Sequence, residues 1–244
     1  MHNTRVLICV SVFSLAALPA WGDVSADSAS PAVREILVEE AERFLGTELQ
    51  PGTLILHRGE CIAVKVYTQS PYTHVGLLMP DPSGKWQVYD SANGVGVRKT
   101  ALATYLRSQT TNTISLYHPV CRLSPEQCNR LNTALEQELG RPYGIRHFLT
   151  GESAEGMHCS EYVTTALRAV PLITANKPAR VSPNSLRQGV EQARIYCPGS
   201  TLKMVLPNTL EPSPQGWCSR LWNDTQHCTL AFFGRLRRSV LCRE

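Results

Sequence analysis

The chain has 244 residues, of which 43% are hydrophobic and 18% charged, and its formal net charge is +4 at pH 7. This length and composition suit one domain with additions, or two small domains. The basic residues do not form a dense stripe interleaved with aromatic residues, so the sequence predicts no nucleic-acid partner.

The first 22 residues have the pattern of an export signal. Arg5 closes a short positive segment, residues 6–18 are apolar, and Ala20 and Gly22 offer small residues at the cleavage positions. The apolar run is too short to span a bilayer comfortably. We therefore predict a cleaved signal peptide over 1–22 and a soluble, secreted or periplasmic protein. A retained N-terminal anchor is the alternative.

The chain contains nine cysteines, one of which, Cys9, lies in the predicted signal. An oxidising compartment allows several of the other eight to form disulfides. Four of them lie in a segment rich in Pro, Gly and Trp: Cys197, Cys218, Cys228 and Cys242. This pattern predicts a cysteine-rich, disulfide-stapled and irregular C-terminal extension over 197–244. Its three connectivities stay open.

The elements after the signal begin with a helix and a strand. Residues 31–45 have apolar positions at helical spacing, and Gly46 ends the pattern. Residues 53–56, after Pro51-Gly52, have the composition of a short buried strand.

The next two segments predict a β-hairpin, with strands at 73–79 and 85–90 around a five-residue turn at 80–84. If Met79 faces Lys85, the register places His74 opposite Asp90. Both side chains then point to the same side of the hairpin, because side chains alternate along a strand. Since opposite residues are about 5 Å apart, we predict an imidazole beside a carboxylate.

Further elements alternate between strands and helices. Short strands are predicted at 95–97 and 113–117, and a helical turn or two at 100–106. Ser124, Pro125 and Gln127 have the pattern of a capping box that opens a helix to about residue 139. Cys159-Ser160-Glu161 precedes a buried helix over 162–170.

Cys159 is the candidate nucleophile. A thiol is strongly nucleophilic as thiolate, and its pKa falls at a helix N-terminus and next to an imidazolium. Backbone N–H groups at the same helix end can hold a developing oxyanion. His74 is the candidate base, and Asp90 the group that orients its imidazole.

An ordered series of motifs supports these roles: Gly-Thr-Leu-Ile-Leu at 52–56, Tyr-Thr-His-Val-Gly-Leu at 72–77, Val-Tyr-Asp-Ser at 88–91, Gly-Arg-Pro-Tyr at 140–143 and Cys-Ser-Glu at 159–161. The series resembles the circularly permuted branch of the NlpC-type papain-like cysteine hydrolases, in particular its YiiX/YebB-like group. The resemblance implies Cys159 as nucleophile, His74 as base and Asp90 as third member. Thr53 departs from the family's usual acidic residue, and Asp90 stands where Glu is common.

Other chemistries are less well supported by the residues. His118, Cys121 and Cys128 carry metal-binding atoms, but their spacing fits no compact zinc ligand pair, so we predict no metal and no cofactor. A disulfide between Cys121 and Cys128 is the better interpretation in an exported protein. Glu161, Tyr143 and His158 are given structural roles rather than catalytic ones.

The segment 231–243 mixes apolar residues with arginines. It predicts either a weak contact with a membrane surface or, in the more usual case, packing on its own domain.

The sequence thus predicts an α+β, permuted papain-like fold over 31–196. In it a small antiparallel sheet carries His74 and Asp90 and packs against a helix headed by Cys159. The predicted function is an exported thiol hydrolase that cleaves a cell-wall peptide amide or an ester through an acyl-enzyme. Relatives in the lecithin–retinol acyltransferase family suggest a lipid acyltransferase or phospholipase as an alternative, and a non-catalytic, disulfide-stapled binding protein is another.

Overall fold

The computed structural model describes residues 33–59, 65, 70–108, 113–144 and 155–205. All of these belong to one of the two units into which the chain divides, Pro31–Glu244. The predicted signal peptide and residues 206–244 of the predicted extension lie outside the described residues, as does the segment 231–243.

The described strands form one seven-stranded sheet in the order β1-β7-β6-β2-β3-β4-β5. Their bounds are Val33–Leu37 for β1, Thr53–Arg58 for β2, His74–Pro80 for β3, Trp86–Ala92 for β4, Gly96–Ala101 for β5, Thr113–Pro119 for β6 and Tyr196–Val205 for β7. β1 pairs with β7 in parallel, and the other five pairs of these strands are antiparallel. The sheet is therefore mixed and larger than the small antiparallel sheet predicted from sequence.

Helices cover both faces of the sheet. The described helices are α1 at Val38–Gly46, α2 at Leu102–Arg107, α3 at Pro125–Gln137, α4 at Cys159–Ala169 and α5 at Pro183–Gln192, with a 3₁₀ turn at Pro178–Arg180. One apolar core packs α3, α4 and α5 on the face that carries Leu54 and Leu56. A second core packs α1 and α2 on the face that carries Ile55. The class is α+β, as predicted.

Strand β2 lies in the middle of the sheet and is buried on both faces. Residues 53–57 are each at most 1% exposed, which explains the unbroken apolar run in the sequence. His57 is the last of these buried residues, and it lies opposite His74 on β3.

Two predicted elements differ from the structure. Residues 33–37, predicted as the start of a helix, form β1, and the helix begins at Val38. Pairing with β7 decides their conformation, since tertiary context overrides a local helical pattern. Residues 197–205, assigned to an irregular extension, form most of β7, so the sheet continues past the predicted boundary.

The predicted hairpin forms, but its register is shifted by two residues. Leu78 pairs with Val88 and Pro80 with Trp86, so the five-residue loop is 81–85. The turn lies one residue later than predicted because the side chain of Asp81 accepts hydrogen bonds from the backbone N–H groups of Ser83 and Lys85. A shift of two residues leaves every side chain on its predicted face.

The capping box of α3 is confirmed. Ser124 Oγ accepts from the backbone of Gln127 at 3.2 Å, and the Gln127 side chain accepts from the backbone of Ser124 at 2.9 Å. No helix of the described part is long and apolar enough to cross a membrane.

Candidate active site

His74 and Asp90 meet at the end of the β3–β4 hairpin. His74 Nε2 lies 2.9 Å from Asp90 Oδ2, with Asp90 fully buried and the His74 side chain 23% exposed. The observed register, continued from Leu77↔Tyr89, places Gly76 rather than His74 opposite Asp90. The contact is therefore diagonal, between residues that share a face.

Arg98 on β5 also hydrogen-bonds to the carboxylate of Asp90. The two residues are opposite each other in the β4–β5 ladder. Arg98 Nε donates to Oδ1 at 2.8 Å and Nη2 donates to Oδ2 at 3.2 Å. Burial by itself raises the pKa of Asp90, but the hydrogen bonds from His74 and Arg98 outweigh it and lower that pKa. Asp90 is thus an ionised carboxylate with a fixed orientation.

Cys159 is the first residue of α4, and the chain that leads to it is attached to β4. Ser91, next to Asp90, donates from its hydroxyl to the carbonyl oxygen of Met157 at 2.7 Å. Met157 also pairs with the Gly-Arg-Pro-Tyr turn: its N–H donates to Pro142 at 2.9 Å, and its carbonyl accepts from Gly144 at 3.3 Å. These contacts fix the start of the helix relative to the strand that carries Asp90.

Glycines allow this close approach. A Cβ on Gly156 would lie 2.8 Å from both Gly144 N and Pro142 O, closer than side-chain carbons come to backbone atoms. Gly96 has a positive φ of 95°, and a Cβ there would collide with the carbonyl oxygen of Arg141. The motif at 140–143 therefore covers the edge of β5 and supports the segment before Cys159.

The Cys159 thiol and the His74 imidazole interact directly. Burial by itself raises the pKa of Cys159, but the charge of His74 and hydrogen bonds with His158 and His74 lower it to about 5. Burial lowers the pKa of His74, but the charge of Cys159 and hydrogen bonds to Asp90 and Cys159 raise it to about 10. Between these values the pair is a thiolate and an imidazolium, which titrate as one unit.

His158 caps the helix that Cys159 begins. Its Nδ1 accepts from the backbone N–H of Glu161 at 3.3 Å, and its Nε2 lies 2.8 Å from the carbonyl oxygen of Ala179. Burial lowers the pKa of His158, but hydrogen bonds to Cys159 and Ala179 outweigh it and raise that pKa. His158 thus caps the helix, the structural role predicted from sequence, and also hydrogen-bonds to the thiol.

A second histidine lies behind His74. His57 is buried, its ring centroid is 5.5 Å from that of His74, and its Nε2 is 2.7 Å from the hydroxyl of Tyr105. Burial, followed by the charge of His74, lowers the pKa of His57 to about 3. His57 is therefore neutral at ordinary pH and adds no second positive charge beside the imidazolium.

Sequence reasoning missed Arg98 and His57. One signal could have found Arg98: Asn93-Gly94 marks a turn, and a three-residue hairpin loop at 93–95 places Arg98 opposite Asp90, as observed. His57 has no local signal, because only the pairing of β2 with β3 brings it to His74.

The candidate site contains no metal-binding cluster. Over the described residues, no group of three or more His, Cys, Asp or Glu side chains could hold a metal ion. The four described cysteines, Cys121, Cys128, Cys159 and Cys197, are all free thiols. The predicted Cys121–Cys128 disulfide is therefore wrong: Cys121 is exposed, whereas the Cys128 sulfur turns inward, 3.9 Å from the carbonyl oxygen of Leu123.

A cavity of about 450 Å³ lies between α5 and the segment 171–175 that follows α4. Leu172, Ile173, Leu186 and Val190 line it, together with Thr164, whose buried hydroxyl has no hydrogen-bond partner in the described structure. Cys159, His74 and Asp90 do not line this cavity, so it is separate from the site described above.

Comparison with known proteins agrees with the class that the fold and the site define. Residues 48–217 match the model of a family described as a permuted papain-like amidase enzyme, YaeF/YiiX, C92 family. The match spans well over half of the chain. The chain therefore belongs to the permuted papain-like amidase family, as the motif order predicted, and the family is one of hydrolases.

Several solved chains are similar to this one. One of them is described as the metalloprotein yiiX from Escherichia coli O157:H7; it is 21% identical in sequence, and the match covers 68% of this chain and 93% of that one with a TM-score of 0.43. No curated protein sequence matches the chain.

Proposed function

We propose that this chain is an exported cysteine hydrolase that cleaves an amide of the cell-wall peptide type, or an ester, through an acyl-enzyme on Cys159. The observation that carries the proposal is the series Cys159–His74–Asp90, in which the thiol pKa is lowered to about 5. A nucleophile, its base and an orienting carboxylate are the groups that acyl transfer requires. The export pattern over 1–22 supports a substrate outside the cytoplasm.

The proposed reaction begins with attack of the Cys159 thiolate on the carbonyl carbon. A C–S bond forms, and the carbonyl oxygen becomes an oxyanion that backbone N–H groups at the start of α4 can stabilise. The His74 imidazolium then gives its proton to the leaving amine or alcohol, and the C–N or C–O bond breaks. His74, now neutral, remains hydrogen-bonded to Asp90.

The second half of the reaction releases the acyl group. Neutral His74 takes a proton from water, and the resulting hydroxide attacks the thioester carbonyl. The C–S bond breaks, the acid leaves, and the thiolate–imidazolium pair is restored. An alcohol acceptor in place of water would make the same chemistry an acyl transfer, so a substrate screen includes both acceptors.

The alternative of a non-catalytic, disulfide-stapled binding protein is less well supported. That alternative predicts an oxidised or inert Cys159. Cys159 is instead a free thiol that interacts with two imidazoles.

The experiment that tests the proposal is site-resolved alkylation of Cys159 by iodoacetamide from pH 4 to 10, in the wild type and in His74→Ala. We expect the wild-type thiol to react well below pH 7, and the variant to titrate near the ordinary thiol pKa of about 8.5. Equal profiles in the two proteins would contradict the proposal.

A parallel screen with wall-type peptide amides and with phospholipid esters identifies the substrate class. Cys159→Ser serves as the inactive control, because a hydroxyl is not ionised under these conditions.

A further inference from the structure

A group of charged and aromatic side chains lies at the same end of the sheet as His74 without taking part in the proposed triad. Arg58 ends β2, Tyr72 precedes β3 by two residues, and Arg187 lies on α5. The guanidinium carbon of Arg58 is 5.4 Å from the centroid of the Tyr72 ring, and that of Arg187 is 5.5 Å away. Arg58 Nη2 also donates to the Tyr72 hydroxyl at 3.4 Å. Two guanidinium groups therefore lie next to the Tyr72 ring.

The two arginines differ in how their charges are compensated. Arg187 forms an ion pair with Glu191 and donates from Nε to Asn184 Oδ1 at 3.2 Å. Arg58 forms no ion pair within the described residues. Its Nε is buried and finds no hydrogen-bond partner there. Over the part of the chain that the structure describes, the group therefore carries one positive charge that no ion pair compensates.

The charge of Arg58 affects the pKa of the Tyr72 phenol. Burial by itself raises the pKa of Tyr72, but hydrogen bonds with Tyr117 and Arg58 and the charge of Arg58 outweigh it and lower that pKa. An environment that lowers the pKa of a phenol is one that stabilises negative charge.

The group lies at the same end of the sheet as His74. His57 is opposite His74, so Arg58 is one residue beyond that pair. The backbone N–H of Thr73 donates to His57 at 2.9 Å, and that of Gly59 donates to Thr73 Oγ1 at 3.0 Å, which ties the two strand ends together. Arg58 shares the face of Leu54 and Leu56, on which α4 packs, and Tyr72 belongs to the same buried cluster as Cys159.

We propose that Arg58, together with Tyr72 and Arg187, is an anion subsite that holds a singly charged oxygen group of the substrate, a carboxylate or a phosphodiester, beside Cys159. The inference rests on the proposed function and specifies its substrate as anionic. A guanidinium binds such groups with two parallel hydrogen bonds, and Arg58 Nε has no partner among the described residues. The hydroxyl of Tyr72 supplies a further donor, and the nearby guanidinium of Arg187 adds positive potential.

Two probes of nearly equal size test the subsite: N-iodoacetylglycine, which is anionic, and N-iodoacetylglycinamide, which is neutral. In both, the Cys159 thiolate displaces iodide and forms a thioether. We expect the anionic probe to react faster with wild type at low ionic strength. Arg58→Gln should slow the anionic probe by roughly 5- to 10-fold, the scale of one charge-assisted hydrogen bond, and leave the neutral probe unchanged.

Control variants separate the subsite from general charge and from misfolding. Arg58→Lys keeps the charge and should retain part of the preference. Arg130→Gln removes an exposed arginine that pairs with Glu126 on α3, and should change neither rate. The rate with the neutral probe reports that each variant is folded and has a competent Cys159.

Competing anions identify the source of the charge. Acetate and dimethyl phosphate, added at constant ionic strength, should protect Cys159 from the neutral probe in wild type and not in Arg58→Gln. Stronger protection by acetate indicates a peptide carboxylate, and stronger protection by dimethyl phosphate indicates a phospholipid headgroup.

The outcomes distinguish the two proposals. If wild-type Cys159 reacts with neither probe below pH 7, the proposed function fails. If it reacts with both, and Arg58→Gln changes the two rates equally, the anion subsite is overturned while the proposed function stands.

Discussion

Asp90 and Arg98 lie directly opposite each other on neighbouring strands, and the guanidinium of Arg98 binds both oxygens of the buried carboxylate, at 2.8 and 3.2 Å. The same carboxylate is hydrogen-bonded to His74, whose pKa the charge of Cys159 also raises. The charges of four neighbouring groups therefore alternate in sign: the Cys159 thiolate, the His74 imidazolium, the Asp90 carboxylate and the Arg98 guanidinium. The sum is neutral, which allows an ionised thiol to persist in a largely buried site.

The first prediction concerns Asp90. In Asp90→Asn, an uncharged amide faces His74 and can present a donor to Nε2, so the imidazolium loses its stabilising charge. We expect hydrolysis of the substrate found in the screen to fall by on the order of 10²- to 10⁴-fold. The pH at which Cys159 becomes reactive toward iodoacetamide should move up from about 5.

The control for this change is Asp81→Asn. Asp81 lies in the exposed turn of the hairpin, so its replacement alters the net charge equally without touching the site. An unchanged alkylation profile in Asp90→Asn would contradict the role given to this carboxylate.

The second prediction concerns Arg98. The hydrogen bonds from His74 and Arg98 lower the pKa of Asp90 against burial, which raises it. Without Arg98 the carboxyl should take up a proton at a higher pH, so the acid limb of the activity profile should move upward. We expect Arg98→Gln to lower kcat by about tenfold, the scale of an orienting hydrogen bond to a charged group, with little change in KM.

Arg98→Lys should lose less activity than Arg98→Gln, because lysine keeps the charge but not the bidentate geometry. A purely structural role for Arg98 would lower the yield of folded protein and leave the pH profile of the folded fraction unmoved.

The third prediction concerns the pH dependence of stability. The pKa of His57 is about 3 in the folded protein and about 6.5 when unfolded. Below pH 6.5 the unfolded state binds a proton that the folded state does not, so the unfolding free energy falls as the pH falls. His57 should account for a loss of about 2 kcal/mol between pH 7.5 and pH 5.

Urea unfolding at these two pH values checks the third prediction. His57→Phe should lose about 2 kcal/mol less than wild type over the same interval. Tyr105→Phe removes the hydroxyl that bonds His57 but keeps the imidazole, so it should retain the pH dependence of wild type. Parallel pH profiles in wild type and His57→Phe would show that this histidine does not titrate as described.

The fourth prediction concerns the segment before Cys159. A Cβ on Gly156 would press against backbone atoms of Gly144 and Pro142, so Gly156→Ala must displace the chain that positions the thiol. We expect a loss of roughly 1–3 kcal/mol of stability, the usual cost of overpacking, and slower alkylation of Cys159 at pH 6.

Gly189 supplies the matched control. It lies within α5, and nothing is found within 4 Å of the position its Cβ would take. Gly189→Ala should therefore stabilise the protein by roughly 0.5–1 kcal/mol, as expected for a helix interior, and leave the reactivity of Cys159 unchanged. A Gly156→Ala variant that behaves like Gly189→Ala would contradict the tight packing described here.

The sequence by itself determined the local parts of the site. The alternation along 73–79 and 85–90 placed His74 and Asp90 on one face, and this held even though the register is shifted by two residues, because strand side chains repeat every second position. The order of motifs identified the family, and the apolar run after residue 161 indicated the helix that Cys159 begins. These features depend on residues close together in the chain.

Only the tertiary structure decided the rest. Strand β1 could not be distinguished from a helix start, since its partner β7 lies at the far end of the described chain. The contacts of Cys159 with His74 and His158, of His57 with His74, and of Arg58 with Tyr72 all depend on how β2, β3 and α4 pack. A period of two or 3.6 residues fixes which face a side chain takes, whereas packing against distant segments fixes what it meets there.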